Sequence, residues 1–195
     1  MRRRDFINGI AASATCPIAS RAQQVERVRR IGVLMSRAAT DPEGQARYVA
    51  FQKGLQRLGW SEGRDIRLDV RWSPDDVERT RQSAGELVGL SPDVILASGS
   101  LSVAELQRVT RTIPIVFAVV GDPVGAGFVD TLSRPGGNTT GFMFAEYSFS
   151  AKWVELLKQV APQVTHVGVV RATHVPSGSP EFATIQAASH HWALR

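Results

Sequence analysis

Few residues in this chain are of a type that does covalent chemistry. His166, His174, His190 and His191 are the only histidines, and Cys16 is the only cysteine. His166 opens an apolar run and reads as structural, while His190 and His191 fall in a C-terminal stretch unlike the sequence before it. The chain has no nucleophile-elbow pattern, no phosphate loop ending in lysine and no metal-ligand spacing. Gly125-Ala126-Gly127 lacks the strand-then-glycine context of a dinucleotide site. The sequence thus names no catalytic residue, no metal ligand and no cofactor, and the chemistry left is recognition. Its best material is Ser98-Gly99-Ser100, set between an apolar run and a helical pattern. A small loop there lets helix N-terminal amides approach an anion, and the hydroxyls add donors. A carboxylate is a suitable guest. Ser100 either serves that role or caps its own helix. Asp122, before Pro123, is read first as a cap and second as a ligand acceptor.

These residues need elements to position them, and the pattern supplies strands alternating with helices. Arg30 to Met35 is a short apolar run with a β-branched bias and reads as a buried strand. Thr40-Asp41-Pro42-Glu43 is a helix start, with a cap, a proline in the first turn and an acid at the positive end of the dipole. Tyr48, Phe51, Leu55 and Leu58 then lie on one helical face, and Gly59 ends it. Ile66, Leu68, Val70 and Trp72 alternate with Arg67, Asp69 and Arg71, which predicts a strand near a sheet edge. Ser73-Pro74-Asp75-Asp76 caps a second helix carrying Val77, Thr80, Ala84, Leu87 and Val88. Pro92 to Ala97 predicts a third strand, and Val103, Leu106 and Val109 a third helix. Ile113 to Val120 is a fourth, wholly apolar strand, and Asp122-Pro123 starts another helix. Thr139 to Phe142 is a fifth strand, Ala151 to Val160 a helix, and Val164 to Val170 a sixth strand.

Apolar strands alternating with amphipathic helices predict an α/β fold, a doubly wound parallel sheet covered on both faces. Ligands bind such sheets outside the carboxyl ends of the strands, at the switch point. The residues to watch are therefore Met35-Ser36-Arg37, Ser98 to Ser100, Gly121-Asp122-Pro123, and Phe142 to Tyr147.

The 195 residues carry a formal net charge of +5, but residues 1–22 hold +3 of it. The remainder has 19 basic against 17 acidic residues, which removes the main support for a nucleic-acid partner. No apolar run approaches the roughly 20 residues of a membrane-spanning helix. Met1-Arg2-Arg3-Arg4, the weakly apolar stretch Ile7 to Ala19 and Ser20-Arg21-Ala22 read as a signal peptide over 1–22, cleaved near Ala22. Arg3-Arg4-Asp5-Phe6-Ile7 resembles a twin-arginine signal. Cys16 lacks the leucine lead-in of a lipoprotein box and leaves with the signal, so the mature chain is expected to have no thiol.

Five stretches, in order, carry a resemblance: Arg30 to Met35, Pro92 to Ser100, Ile113 to Phe117, Gly121-Asp122-Pro123-Val124-Gly125-Ala126-Gly127, and Arg134-Pro135-Gly136-Gly137-Asn138-Thr139-Thr140-Gly141-Phe142. They resemble the substrate-binding proteins of ABC importers, in the family that includes aromatic amino-acid binders, over roughly residues 28–189. The resemblance implies a type I periplasmic-binding fold with a cleft between two α/β lobes that close by hinge motion. It implies a linker over 23–29, the first lobe over 30–145, and the crossover and start of the second lobe over 146–189, with an aberrant tail over 190–195. It also implies ligand-binding positions at Met35 and Ser36, at Ser98, Gly99 and Ser100, at Val120, Gly121 and Asp122, and at Phe142 with Glu146. The implied function is that of a non-enzymatic, periplasmic solute-binding component that takes up a small molecule, an amino acid or carboxylate, and docks on an ABC permease in the inner membrane. The competing readings are an α/β enzyme or nucleotide-binding domain on a similar sheet, and a regulator core of the same fold.

Departures from the family pattern are local, except at the end. Leu101 stands where many relatives have proline, and Thr173 to Gly178 differs from the usual loop. Relatives run on for well over a hundred residues, so the chain is expected to be truncated and impaired. Reading one coding of Pro-Ser-Leu-Gly-Val-Glu a base late yields His-His-Trp-Ala-Leu. The ending His190-His191-Trp192-Ala193-Leu194-Arg195 is therefore expected to arise from a frameshift near Ser189.

Overall fold

A computed structural model describes residues 27–191 other than 75, 173, 174 and 177. The expected signal over 1–22, with Cys16, and the last four residues lie outside the described residues. Five strands, β1 (Arg29–Met35), β2 (Ile66–Trp72), β3 (Val94–Ser98), β4 (Ile115–Gly121) and β5 (Thr139–Ala145), form one parallel sheet in the order β2-β1-β3-β4-β5. Helices α1 (Pro42–Arg57), α2 (Val77–Gly89) and α3 (Ser100–Val109) connect the first four strands. Helices α4 (Ser148–Val160) and α5 (Gly178–His191) follow β5 and pack against each other.

The alternation of β1 explains why both faces are covered. Ile31, Val33 and Met35 point to one side, where Tyr48, Phe51 and Leu55 of α1 close over them with Leu68, Val70 and Trp72 of β2. Leu34 points to the other side, into a core built from Ala84 and Leu87 of α2, Val103 and Leu106 of α3, and Ile115, Phe117 and Val120 of β4. Edge strand β2 turns Arg67, Asp69 and Arg71 away from α1. Arg30 Nε donates to Asp69 at 2.6 Å and Arg71 Nε to Glu86 at 2.7 Å, which satisfies that charged face. The Arg30 guanidinium also holds the Asp69 carboxyl below its usual range.

Three expectations need correction. The helix after Asp122-Pro123 does not form. Residues 122–128 make a single turn, with the amides of Ala126 and Phe128 bonded to the carbonyls of Asp122 and Pro123. Gly127, at φ +74, then reverses the chain, and burial of Phe128 and Val129 in the core holds it down. The sixth strand over Val164 to Val170 is also absent among the described residues. A strand needs a neighbour to bond, and the sheet ends at β5. Val170 is left fully exposed, and His166 is exposed with Nδ1 2.9 Å from Thr165 Oγ1. Finally, the cap of α2 is Asp76, whose side chain accepts from the Arg79 amide, while Ser73 is buried with its hydroxyl 2.8 Å from that of Thr80.

Candidate ligand-binding cleft

The order β2-β1-β3-β4-β5 reverses direction between β1 and β3, and the carboxyl ends of those strands carry Ser36 and Gly99. The two residues meet there. Gly99 holds φ 89 and ψ 156, and a Cβ on it would stand 2.9 Å from Ser36 Oγ. Only a residue without a side chain fits this approach. Gly99 is also the N-cap of α3, and no side-chain hydrogen bond caps that helix. Ser100 therefore does not cap its own helix; it is its first residue and is buried. The first turn of α3 thus opens, without a competing side chain, on the edge where a ligand would sit.

A cleft of roughly 760 Å³ lies on this edge. Ser36, Gly99, Ser100 and Leu101 form its floor, joined by Val119 and Gly121 from the end of β4. Val119 reaches it because β4 slips register against β5 between Phe117 and Gly121. Its φ of 59 is unusual for a β-branched residue, and Asp122 follows at φ 36. Arg37 and Arg47 stand at one side. Arg37 bonds Glu43 at 2.8 Å, and Arg47 bonds the same carboxylate. Phe144 of β5, Glu146 and Tyr147 after it, Trp153 of α4, Val175 before α5 and Glu181 of α5 line the other side.

Of the ten positions expected from sequence, the cleft brings together Ser36, Gly99, Ser100, Gly121 and Glu146. Met35 lies beneath it in the α1-side core, and Val120 in the α2–α3-side core. Ser98 ends β3 and is buried, with a hydroxyl that has no hydrogen-bond partner among the described residues. Asp122 works as a brace: Oδ1 accepts from the Gly125 amide at 2.7 Å and Oδ2 from the Tyr147 amide at 3.5 Å. Phe142 is largely exposed on the same face of β5 as Phe144, one alternation short of the cleft. Sequence reasoning placed Tyr147 within the loop to watch, and the rule that ligands sit beyond the carboxyl ends of the strands could have favoured Phe144, nearer the end of β5, over Phe142. Nothing local marks Trp153, Val175 or Glu181, which arrive from α4 and α5.

The described residues include no cluster of three His, Cys, Asp or Glu side chains that could hold a metal, and no helix long and apolar enough to cross a membrane. A parallel sheet with an open cleft at its switch point, lined by hydroxyls, amides and aromatic rings, is the architecture of a small-molecule binder. The family model for ABC transporter substrate binding proteins matches residues 31–188, and the chain belongs to that family.

A tyrosine-binding protein of Clostridioides difficile is 30% identical over 148 residues, covering 76% of this chain and 42% of that protein. A conserved domain protein from Vibrio cholerae superposes with a TM-score of 0.76 at 28% identity, covering 87% of this chain and 56% of the other. The structure of an ABC domain in complex with L-Trp from Streptococcus pneumoniae has the same fold, with a TM-score of 0.74 at 24% identity over 86% of this chain and 55% of the other. The chain thus spans between two fifths and three fifths of the length of these relatives. The family is one of substrate-binding proteins rather than enzymes, which supports a binding role over the α/β-enzyme reading.

Proposed function

We propose that the chain supplies the solute-binding wall of an ABC importer, taking an amino acid or aromatic carboxylate at the carboxyl edge of its sheet and working with an inner-membrane permease. Residues 30–145 act as the first lobe, and residues 146–189 as the crossover and start of the second. The family is typically extracytoplasmic, and the N-terminal sequence suits export to the periplasm. The observation that carries the reading is the meeting of Ser36, Gly99 and Ser100 at the uncapped start of α3, where backbone amides and hydroxyls face the cleft. The names of the relatives, a tyrosine binder and a domain bound to L-Trp, support an aromatic amino acid as the solute.

A single sheet behind the cleft cannot enclose a ligand as two closing lobes do, so the 195-residue chain is expected to bind weakly, with Kd of about 1 mM. NMR titration of the labelled chain with L-tyrosine and L-tryptophan tests this. Saturable shifts at Ser36, Gly99 and Ser100 are the expected result. Absence of any such shift would overturn the solute-binding reading, and nanomolar binding would overturn the view that a second wall is needed.

A further inference from the structure

The two edges of the sheet are built differently. Edge strand β2 carries Arg67, Asp69 and Arg71, and charges of this kind discourage a foreign strand from pairing. Edge strand β5 reads Thr-Thr-Gly-Phe-Met-Phe-Ala, with no charge and no proline. Its outer side is also unpaired. The Ile115 amide donates to the Asn138 carbonyl at 2.8 Å, and Ile115 lies opposite Thr139. Alternate residues of a parallel ladder bond to opposite sides, so Thr139 and then Gly141 turn their own amides and carbonyls away from β4. Among the described residues, no backbone hydrogen bond from outside the sheet reaches residues 139–144.

The same strand leaves aromatic surface uncovered. Thr139 is buried, with its hydroxyl accepting from Gln107 of α3 at 3.0 Å. Thr140, Phe142 and Phe144 therefore point to the opposite face, the α1 side, where the cluster beneath α1 extends no farther than β3. Phe142 is 78% exposed and Phe144 71%. Phe144 meets Trp153 at the cleft, and Trp153 continues with Phe149 along one exposed stripe of α4. These four aromatic side chains leave roughly 500 Å² uncovered. A standard interface takes about 800 Å² from each partner, so the rings alone supply more than half of it, before the strand edge is counted.

We propose that β5 is a homodimerisation edge, on which a second copy of this chain lays its own β5 antiparallel about a two-fold axis at Phe142. Phe142 is the middle residue of β5, so in this register all seven residues of the two strands overlap. Gly141 then faces the partner's Met143, and Phe142 packs on the partner's Phe142 as a non-hydrogen-bonded pair, the kind that brings side chains closest. A copy of the same chain fits because the edge offers no charge for an acidic or basic partner to pair with, and its aromatic residues match themselves. Pairing removes the free edge of β5 while β2 stays protected by its charges, so assembly closes at two. Phe142 lies outside the cleft, and the inference does not depend on which solute the cleft takes.

Sedimentation velocity of the 195-residue chain, across micromolar concentrations, is expected to show a species of twice 21.2 kDa. Phe142→Lys sets like charges directly opposite each other and is expected to weaken dimerisation at least about tenfold. Leu58→Lys, at a site 77% exposed beyond the end of α1, is expected to leave it unchanged. Circular dichroism checks that both variants stay folded. A chain that remains monomeric leaves this edge to another occupant, such as the further length that the relatives carry, and overturns the proposal. Growth past the dimer, a dimer that survives Phe142→Lys, or one equally lost in Leu58→Lys also overturns it. Crosslinking reads the register. In a Cys16→Ser background, Phe142→Cys is expected to give a disulfide dimer on mild oxidation, because facing residues of a non-hydrogen-bonded pair have Cα atoms about 4.5 Å apart. Thr140→Cys stands about 14 Å from its symmetry mate in this register and is expected to crosslink at least about tenfold less. Equal crosslinking at the two positions, or none at Phe142→Cys, overturns the two-fold pairing.

Discussion

Gly99 does two jobs that no other residue type can do together. Its φ of 89 and ψ of 156 place it in a region essentially closed to residues with a Cβ, and that Cβ would press on Ser36 Oγ at 2.9 Å. Gly99→Ala is therefore expected to cost about 2 kcal/mol of stability and to remove the saturable shifts at Ser36. Urea unfolding measures the first effect and NMR titration the second. Stability unchanged within error would show that the loop relaxes freely, and the tight Ser36 approach would then not matter. Asp122 shows the other side of residue-scale reading. Sequence left it between capping and ligand binding, and its two carboxylate oxygens are engaged by the amides of Gly125 and Tyr147. It supports the cleft from below, which a motif match cannot distinguish from touching the solute.

At the scale of elements, local signals were sound wherever local forces dominate. The start of α1 is an example. Asp41 is its N-cap, with Oδ1 accepting from the Gly44 amide at 2.7 Å, Pro42 follows it, and Glu43 lies in the first turn. Asp41→Ala is expected to destabilise the chain by about 1 kcal/mol, read as a lower urea midpoint at an unchanged slope. A loss under about 0.3 kcal/mol would mean that Arg37 and Glu43 hold the helix start without the cap. The same reasoning failed for the helix after Asp122-Pro123 and for residues 164–170. Asp122-Pro123 carries a valid helix-start signal, but Gly127 and the burial of Phe128 and Val129 stop the helix after one turn. Val164 to Val170 has the composition of a strand, but composition cannot provide the neighbour that a strand must bond.

For the molecule as a whole, charge and apolar surface tell different stories. Most of the net charge sits in residues 1–22, +3 of +5, so the basic character belongs to the N-terminus rather than to the sheet and its cleft. If export uses the twin-arginine route, Arg3→Lys with Arg4→Lys should leave the precursor in the cytoplasm, as seen by immunoblot of periplasmic and cytoplasmic fractions. An unchanged periplasmic yield would exclude that route. The apolar surface is concentrated on β5 and α4, where Phe142, Phe144, Phe149, Trp153 and Val160 are all more than half exposed. The stretch 165–172 is largely exposed, whereas α5 docks on α4 through Ser150 and Glu181.

The sequence by itself determined most strand and helix periods, the parallel α/β class and the family, because each is carried by residues adjacent in the chain or repeating at a fixed spacing. It also located the loops at the carboxyl ends of the strands, since topology alone dictates where such sheets open. The tertiary structure alone decided which residues of those loops face the cleft. Met35 and Val120 point into the two cores because strand alternation and the β4 register slip settle their direction, and Phe142 shares the face of Phe144 but lies two residues farther from the carboxyl end of β5. Val119, Tyr147, Trp153 and Glu181 enter because that slip and the packing of α4 and α5 bring them there. A side chain's direction depends on pairing partners far away in sequence, and no local pattern encodes them.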